Sequence, residues 1–317
     1  MPDTRLRTTL TQFGAPTAET LRFNATLREK LQGLPPPWEV DIDLMRALRA
    51  EGKGILPIDG PLPDAEWRVL DDGAGRVRLI EHPAPKGVYV HIHGGGWTFG
   101  APEQFDGRNL RLSNSADVTV VSVQYRLAPE HKWPTCAEDC EAAVLWALDH
   151  AGDLPVFIGG ESAGGHLAAA SLLRLREKGL LSRIRAAVLI YGCFDLRGAP
   201  ALLNWGDENL ILSTPIVDWF IDNLIGGAAQ ADDPLVSPLL ADLHDMPPAL
   251  FCVGTLDPLL DDTLFMAERW RAAGAESQLA VWPGGVHAFD YFDRPEFELP
   301  IALELQEDVA NFIRARL

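Results

Sequence analysis

The 317 residues predict an α/β fold, a mostly parallel sheet with helices on both faces and a helical cap. Three observations carry that prediction. From residue 88 onward, apolar strand-like runs (88–92, 118–123, 156–158, 187–191, 250–253 and 279–282) alternate with helical patterns (136–150, 163–178, 263–273 and 301–317). Such alternation marks parallel strands joined by crossover helices. Two of the helices stop at Gly179 and Gly274, the residue type that most easily adopts the left-handed conformation closing a helix. Amphipathic helical patterning, with Leu21, Phe23, Leu27 and Leu31 and then Ile42, Leu44, Met45 and Leu48, precedes the first strand. It has no earlier sheet to pack on, so it reads as a cap over a sheet built later.

In chain order, residues 1–50 are cap segments, interrupted at Pro35-Pro36-Pro37 because proline lacks the N–H a helix needs and clashes with the preceding turn. Residues 51–317 form the main domain, whose strands begin after a linker at 57–63. The alternating runs 67–70 and 76–80 flank Asp71-Asp72-Gly73-Ala74-Gly75, so the sheet begins with an antiparallel hairpin. The stretch 197–233 is longer than an ordinary connection and carries Trp205, Trp219 and Phe220 at helix-like spacing, which assigns it as an insertion joining the cap. The run 277–282 is the last strand and exposes an edge that calls for pairing or cover.

With 45 acidic against 27 basic residues, a formal charge of −18 argues against nucleic acid and anionic membrane surfaces as partners and leaves neutral small molecules favoured. The polar start Met1-Pro2-Asp3-Thr4-Arg5 lacks the apolar core of a signal peptide, and no apolar run approaches a membrane span. A cytoplasmic protein is expected. Cys136, Cys140, Cys193 and Cys252 lack metal-site spacing and read as buried thiols.

Chemistry concentrates at Gly160-Glu161-Ser162-Ala163-Gly164, between the apolar run 156–158 and an alanine-rich helix. A serine in a sharp strand-to-helix turn, with glycine two residues either side, is the arrangement of a nucleophile elbow. Its hydroxyl needs a histidine base, and the base needs a carboxylate to hold its tautomer. After Ser162 only three histidines remain. His166 is bound into the helix after the elbow, and His244 precedes the best acid. Asp257, just past the strand 250–253, and His287, just past 279–282, stand in the order serine, acid, histidine that this topology requires. Asp261 and Asp262 are rival acids at the start of the next helix, where they suit its dipole. His93-Gly94-Gly95-Gly96-Trp97 follows a buried strand, and such a glycine run exposes backbone N–H groups to an oxyanion. His91-x-His93 has no third ligand nearby, so no metal is expected and no cofactor either. His93 reads as a support for the glycine loop.

Together, His93 to Trp97, Tyr125-Arg126-Leu127-Ala128-Pro129-Glu130, Gly160 to Gly165, Asp257-Pro258-Leu259 and His287 resemble the hormone-sensitive-lipase-like (bacterial family IV) esterases of the α/β-hydrolase fold, over most of the chain from about residue 65. The resemblance implies a carboxylesterase with Ser162, Asp257 and His287 as triad, N–H groups of Gly95, Gly96 and Ala163 as oxyanion hole, residues 51–317 as catalytic domain, and hydrolysis of esters with short to medium acyl groups through an acyl-enzyme. Two departures stand out. Glu161 occupies a position where aspartate is commoner, and Leu260-Asp261-Asp262 replaces an arginine-containing continuation. Glu161 is expected to bond to neighbouring loop backbone or to the Tyr125-Arg126 segment.

Trp97, Phe23 and Trp205 are taken as substrate-binding walls, with Phe13, Trp38 and Phe220 as further bulky cap side chains. A walled cavity of that kind favours acyl chains of about two to six carbons. Two alternatives stay open: an amidase or peptidase using the same residues, and a non-catalytic receptor on the same fold. Receptors of the resembled family lack the histidine that His287 supplies here. In that family the 277–282 edge often pairs across a two-fold axis, which implies a homodimer.

Overall fold

The computed structural model describes residues 13–70 and 75–317. Its sheet contains β1 (Glu66–Val69), β2 (Arg76–Ile80), β3 (Gly87–Ile92), β4 (Val118–Gln124), β5 (Val156–Glu161), β6 (Ile184–Ile190), β7 (Ala249–Leu256) and β8 (Ser277–Val286). They lie in the order β1-β2-β4-β3-β5-β6-β7-β8. β1 and β2 form the expected antiparallel hairpin, with Trp67 opposite Arg78; its turn at 71–74 lies outside the described residues. β2 also runs antiparallel to β4, and every pairing from β4 to β8 is parallel. β8 occupies the sheet edge.

Period-two alternation sends successive side chains to opposite faces, so the sheet divides the interior into two apolar cores. Val88, Val90 and Ile92 enter one core with Leu167, Leu172 and Trp270; Tyr89 enters the other with Phe157, Leu305 and Phe312. The first core is covered by α4 (Thr135–His150), α5 (Ala163–Glu177) and α8 (Leu260–Ala272), and the second by α3 (Asp106–Ala116) and α9 (Pro300–Arg314).

Sequence patterning does not announce α3. Its buried positions are Asp106, Gly107, Asn109, Ser113 and Ala116, which are polar or small. Its fixing is ionic: Asp106 is fully buried, pairs with Arg78 at 2.6 Å and accepts the Leu62 N–H at 2.8 Å.

Before the sheet, α1 (Ala18–Leu31) is capped by Thr17 and α2 (Ile42–Ala50) by Asp41, each side chain accepting a first-turn N–H. The 197–233 insertion resolves into two helices, α6 (Pro200–Trp205) and α7 (Thr214–Leu224). Trp205 therefore ends one helix while Trp219 and Phe220 sit on another. The helical spacing that seemed to unite them is interrupted by a turn and the Leu210–Leu212 bridge. Among the described residues, no helix is long and apolar enough to cross a membrane.

Candidate active site

The chain passes from β3 to β4 on one side and returns through β5 on the other, so the order reverses between β3 and β5. In open parallel sheets that reversal opens a crevice at the strands' C-terminal ends. Ile92 is in register with Gly160, which brings the glycine loop after β3 level with Ser162 after β5. Leu256 is in register with Val286, so Asp257 and His287 leave adjacent strands at one height. Four short loops thus converge without any long excursion of chain.

Ser162 has φ 57° and ψ −121°, a strained conformation that turns its hydroxyl out of the sheet while Ser162 N–H stays bonded to Ile190 O at 2.9 Å. The turn is closed so tightly that a Cβ on Gly164 would collide with the Ile92 carbonyl oxygen. Ser162 Oγ lies 2.9 Å from His287 Nε2, and His287 Nδ1 lies 2.9 Å from Asp257 Oδ2. Asp257 Oδ1 accepts the Leu259 N–H at 2.8 Å, which fixes the carboxylate's rotation. The relay needs Nδ1–H donating to Asp257, leaving Nε2 free to take the serine proton.

Gly95, Gly96 and Ala163 line the cavity beside Ser162, and their N–H groups have no acceptor among the described residues. Gly96 has φ 58°, and a Cβ there would run into the Phe220 ring, so this loop admits only glycine where the roof descends on it. His93 Nδ1 bonds to Gly94 O at 2.9 Å and its ring stacks on Tyr125. Burial pushes His93 down to about 3, so it is neutral and Nδ1–H is the donor. Tyr125 O–H donates to His93 O at 2.9 Å. These contacts make His93 the expected support of the glycine loop.

Glu161 Oε1 accepts the Gly94 N–H at 2.9 Å, and Oε2 faces His91 Nε2 at 3.1 Å. Burial would raise this carboxyl, but the His91 ring, the Arg108 guanidinium and the Gly94 N–H together hold it at about 2. It is an anion clamped between β3 and β5. Of the two partners expected from sequence, the loop backbone is present and the Tyr125-Arg126 segment is not, since Arg126 pairs with Asp139 instead.

His166, bound into the helix after the elbow as the sequence implies, also reaches the glycine loop. Its Nδ1 accepts from Trp97 Nε1 at 3.1 Å and its Nε2 donates to Val236 O at 2.8 Å. Burial lowers it to about 4, so the neutral ring bolts the glycine loop to α5. The available signal was its place one turn after Ser162, on a helix face that must meet the preceding loop.

Above these groups lies a cavity of about 430 Å³ lined by Met45 and Leu48 of α2, Ile216, Val217 and Phe220 of α7, and Leu34. Trp97 stands in its wall as expected. Phe23 and Trp205 do not: Phe23 packs on Phe292, with ring centroids 4.8 Å apart, and lines a separate cavity. Trp205 donates its indole N–H to Glu208 O at 2.7 Å and packs on the second core. Arg46 ties α2 to the floor by donating to Thr98 O, Ala128 O and the Glu130 carboxylate. Asp261 accepts the Ala201 N–H, and Asp262 accepts those of Phe194 and Asp195. The two rival acids are therefore anchors of the segment 194–201, which leads into α6. Among the described residues, no three metal-binding side chains gather.

A nucleophile elbow at a switch point, an acid and a histidine on the next strand ends, and a glycine loop beside them define an α/β-hydrolase. A family profile described as alpha/beta hydrolase fold matches residues 89–291. The arylesterase of Saccharolobus solfataricus is 37% identical over 210 residues, covering 64% of this chain and 68% of that one. Among solved structures, the hyperthermophilic esterase from the archaeon Pyrobaculum calidifontis matches with a TM-score of 0.81 at 28% identity, over 95% of this chain and 99% of the other. A hormone-sensitive lipase from a metagenome library matches with a TM-score of 0.83 at 27% identity, over 96% and 99%. The chain belongs to the hormone-sensitive-lipase-like esterases of the α/β-hydrolase fold.

Proposed function

We propose that this carboxylesterase uses Ser162 as nucleophile, His287 as general base and then acid, and Asp257 to hold the imidazole in its working tautomer. The observation that carries the reading is the unbroken relay from Ser162 Oγ through His287 to Asp257, with both links at 2.9 Å. Ser162 Oγ attacks the ester carbonyl as its proton passes to His287 Nε2. The tetrahedral oxyanion is met by the N–H groups of Gly95, Gly96 and Ala163, which have no acceptor among the described residues. Collapse expels the alcohol, which takes the proton from His287. Water, activated by the same histidine, then releases the acid from Ser162. α2 and α7, with the segments around them, act as a cap that excludes water and shapes the substrate.

The substrates are neutral esters with acyl chains of about two to six carbons, because the cavity is walled by bulky apolar side chains and the chain's charge repels anions. A rate survey over p-nitrophenyl esters of rising acyl length, with an anilide as control, tests this. Activity is expected to peak in that range with little anilide turnover. A kcat/KM still climbing at about twelve carbons would refute the size limit, and anilide rates matching the esters would make it an amidase. All four cysteines are free and buried, which supports a reducing, cytoplasmic setting. The β8 edge supports a homodimer through 277–282; a monomer mass by light scattering across a wide concentration range would count against it.

A further inference from the structure

The cavity over Ser162 shares a wall with another. A second cavity, of about 770 Å³, is lined by apolar side chains, among them Phe23, Leu27, Ile58 and Phe292, and by charged ones of Glu19, Arg22, Lys30 and the segment 294–298. Gly54 and Ile55 line both spaces. Gly54 has no side chain, so among the described residues the one side chain common to the two is that of Ile55. It is 48% exposed and belongs to neither apolar core. An exposed isoleucine with no core to fill, standing between two partly apolar spaces, acts as a partition.

We propose that Ile55 is the stop that sets how long a hydrocarbon arm the enzyme accepts, and that the second cavity is a latent extension of the substrate site for the alkyl tail of a longer ester. The inference rests on the esterase reading above. An arm growing from the Ser162 side gains by burial for each methylene until it meets the partition. Beyond it, the apolar members of the second cavity's mixed lining, Phe23, Leu27, Ile58 and Phe292, offer the same kind of surface. Shortening residue 55 joins the two spaces without removing a core contact, so the fold should be indifferent to it.

The test compares wild type, Ile55→Ala and Ile55→Trp by kcat/KM over two series, p-nitrophenyl esters of rising acyl length and acetates of rising alcohol length. Each rate is read relative to the same enzyme's acetate rate, and melting temperatures should match. In at least one series Ile55→Ala should gain about fourfold per methylene over wild type for the next two or three carbons past the wild-type break, equivalent to ~0.8 kcal/mol each. Ile55→Trp should break earlier. The partition is overturned if the Ile55→Ala break stays put in both series, or if its acetate rate falls in step with the long esters. A wild type that turns over no ester in either series would overturn the esterase reading itself, whereas Ser162-dependent turnover with an unmoved break overturns the partition alone.

Discussion

The floor and the roof of the cavity answer to different physical demands. On the floor, the polar groups around the reaction centre come paired. Asp257, Glu161 and His166 each have a named partner on another strand or loop, His93 bonds to the carbonyl of the adjacent Gly94, and all are buried to within a few per cent. In the roof, the walls are apolar side chains of α2 and α7, and the ties downward are made by Arg46, by Arg49 to Gln104 and by Lys132 to the Asp222 and Ile225 carbonyls. Acyl transfer needs groups placed to a fraction of an ångström, which strand ends provide. Selecting a substrate by shape needs only a wall. Floor changes should therefore cost turnover by orders of magnitude, and roof changes should redistribute activity among substrates.

The largest expected effects are at the relay. Ser162→Ala and His287→Ala should each lower kcat by at least ~10⁴-fold while circular dichroism and melting stay near wild type, with Asp257→Asn somewhat milder. A Ser162→Ala enzyme with a tenth of wild-type activity would break the contrast at once.

Next comes the bolt between glycine loop and α5. Replacing His166 by phenylalanine strands the Trp97 N–H and the Val236 carbonyl, each costing about 1–3 kcal/mol, and should also reduce kcat by loosening the oxyanion donors. Its pH signature has a definite sign. Burial holds the folded-state value at about 4 against 6.5 for an ordinary histidine, so the unfolded chain takes up the proton first as pH falls. The stability from neutral His166 is complete above 6.5 and is lost between about 6.5 and about 4. Denaturant midpoints for His166→Gln should fall less steeply than wild type over that window; parallel curves would contradict it.

Asp262 works the other way. Burial raises its carboxyl to about 8, so its contribution is complete below 3.8 and is lost as pH rises through about 8. Asp262→Asn keeps an acceptor for the Phe194 and Asp195 N–H groups, and should hold its midpoint better than wild type at alkaline pH. Equal alkaline losses would show that this carboxyl is already ionised at neutrality.

The smallest effect is expected in the roof. Arg46→Ala removes the links from α2 to Thr98, Ala128 and Glu130, and should cost about tenfold in kcat/KM, or ~1.4 kcal/mol, chiefly through KM. A loss carried by kcat alone would mean that the roof helps place the reacting atoms, blurring the distinction.

The same contrast governs what could be read from the residues alone. The elbow, glycine loop, Asp257 and His287 were legible because each needs a special residue at a fixed distance from a strand end. Strand pairing then turned positions far apart in sequence into neighbours. The roof was not legible at the level of single residues. Phe23 and Trp205 are as bulky as Phe220, but only the direction in which a helix docks decides which ring meets the cavity, and periodicity does not encode that. α3 escaped because its buried face is made of polar and small residues held by Asp106 and Arg78, so hydrophobic spacing has nothing to report. Asp261 and Asp262 looked like dipole partners for a helix start; their actual targets are N–H groups of a segment some sixty residues earlier.

The claim on which the rest depends is that acyl transfer takes place on Ser162. A p-nitrophenyl phosphonate ester, which leaves a stable tetrahedral adduct on an activated serine, tests it by intact mass and peptide mapping against residual activity. One adduct per chain on the peptide containing Ser162, formed in step with loss of activity and absent from Ser162→Ala and His287→Ala, is the expected result. Inactivation with the adduct on another residue, or equal labelling of Ser162→Ala, would contradict it.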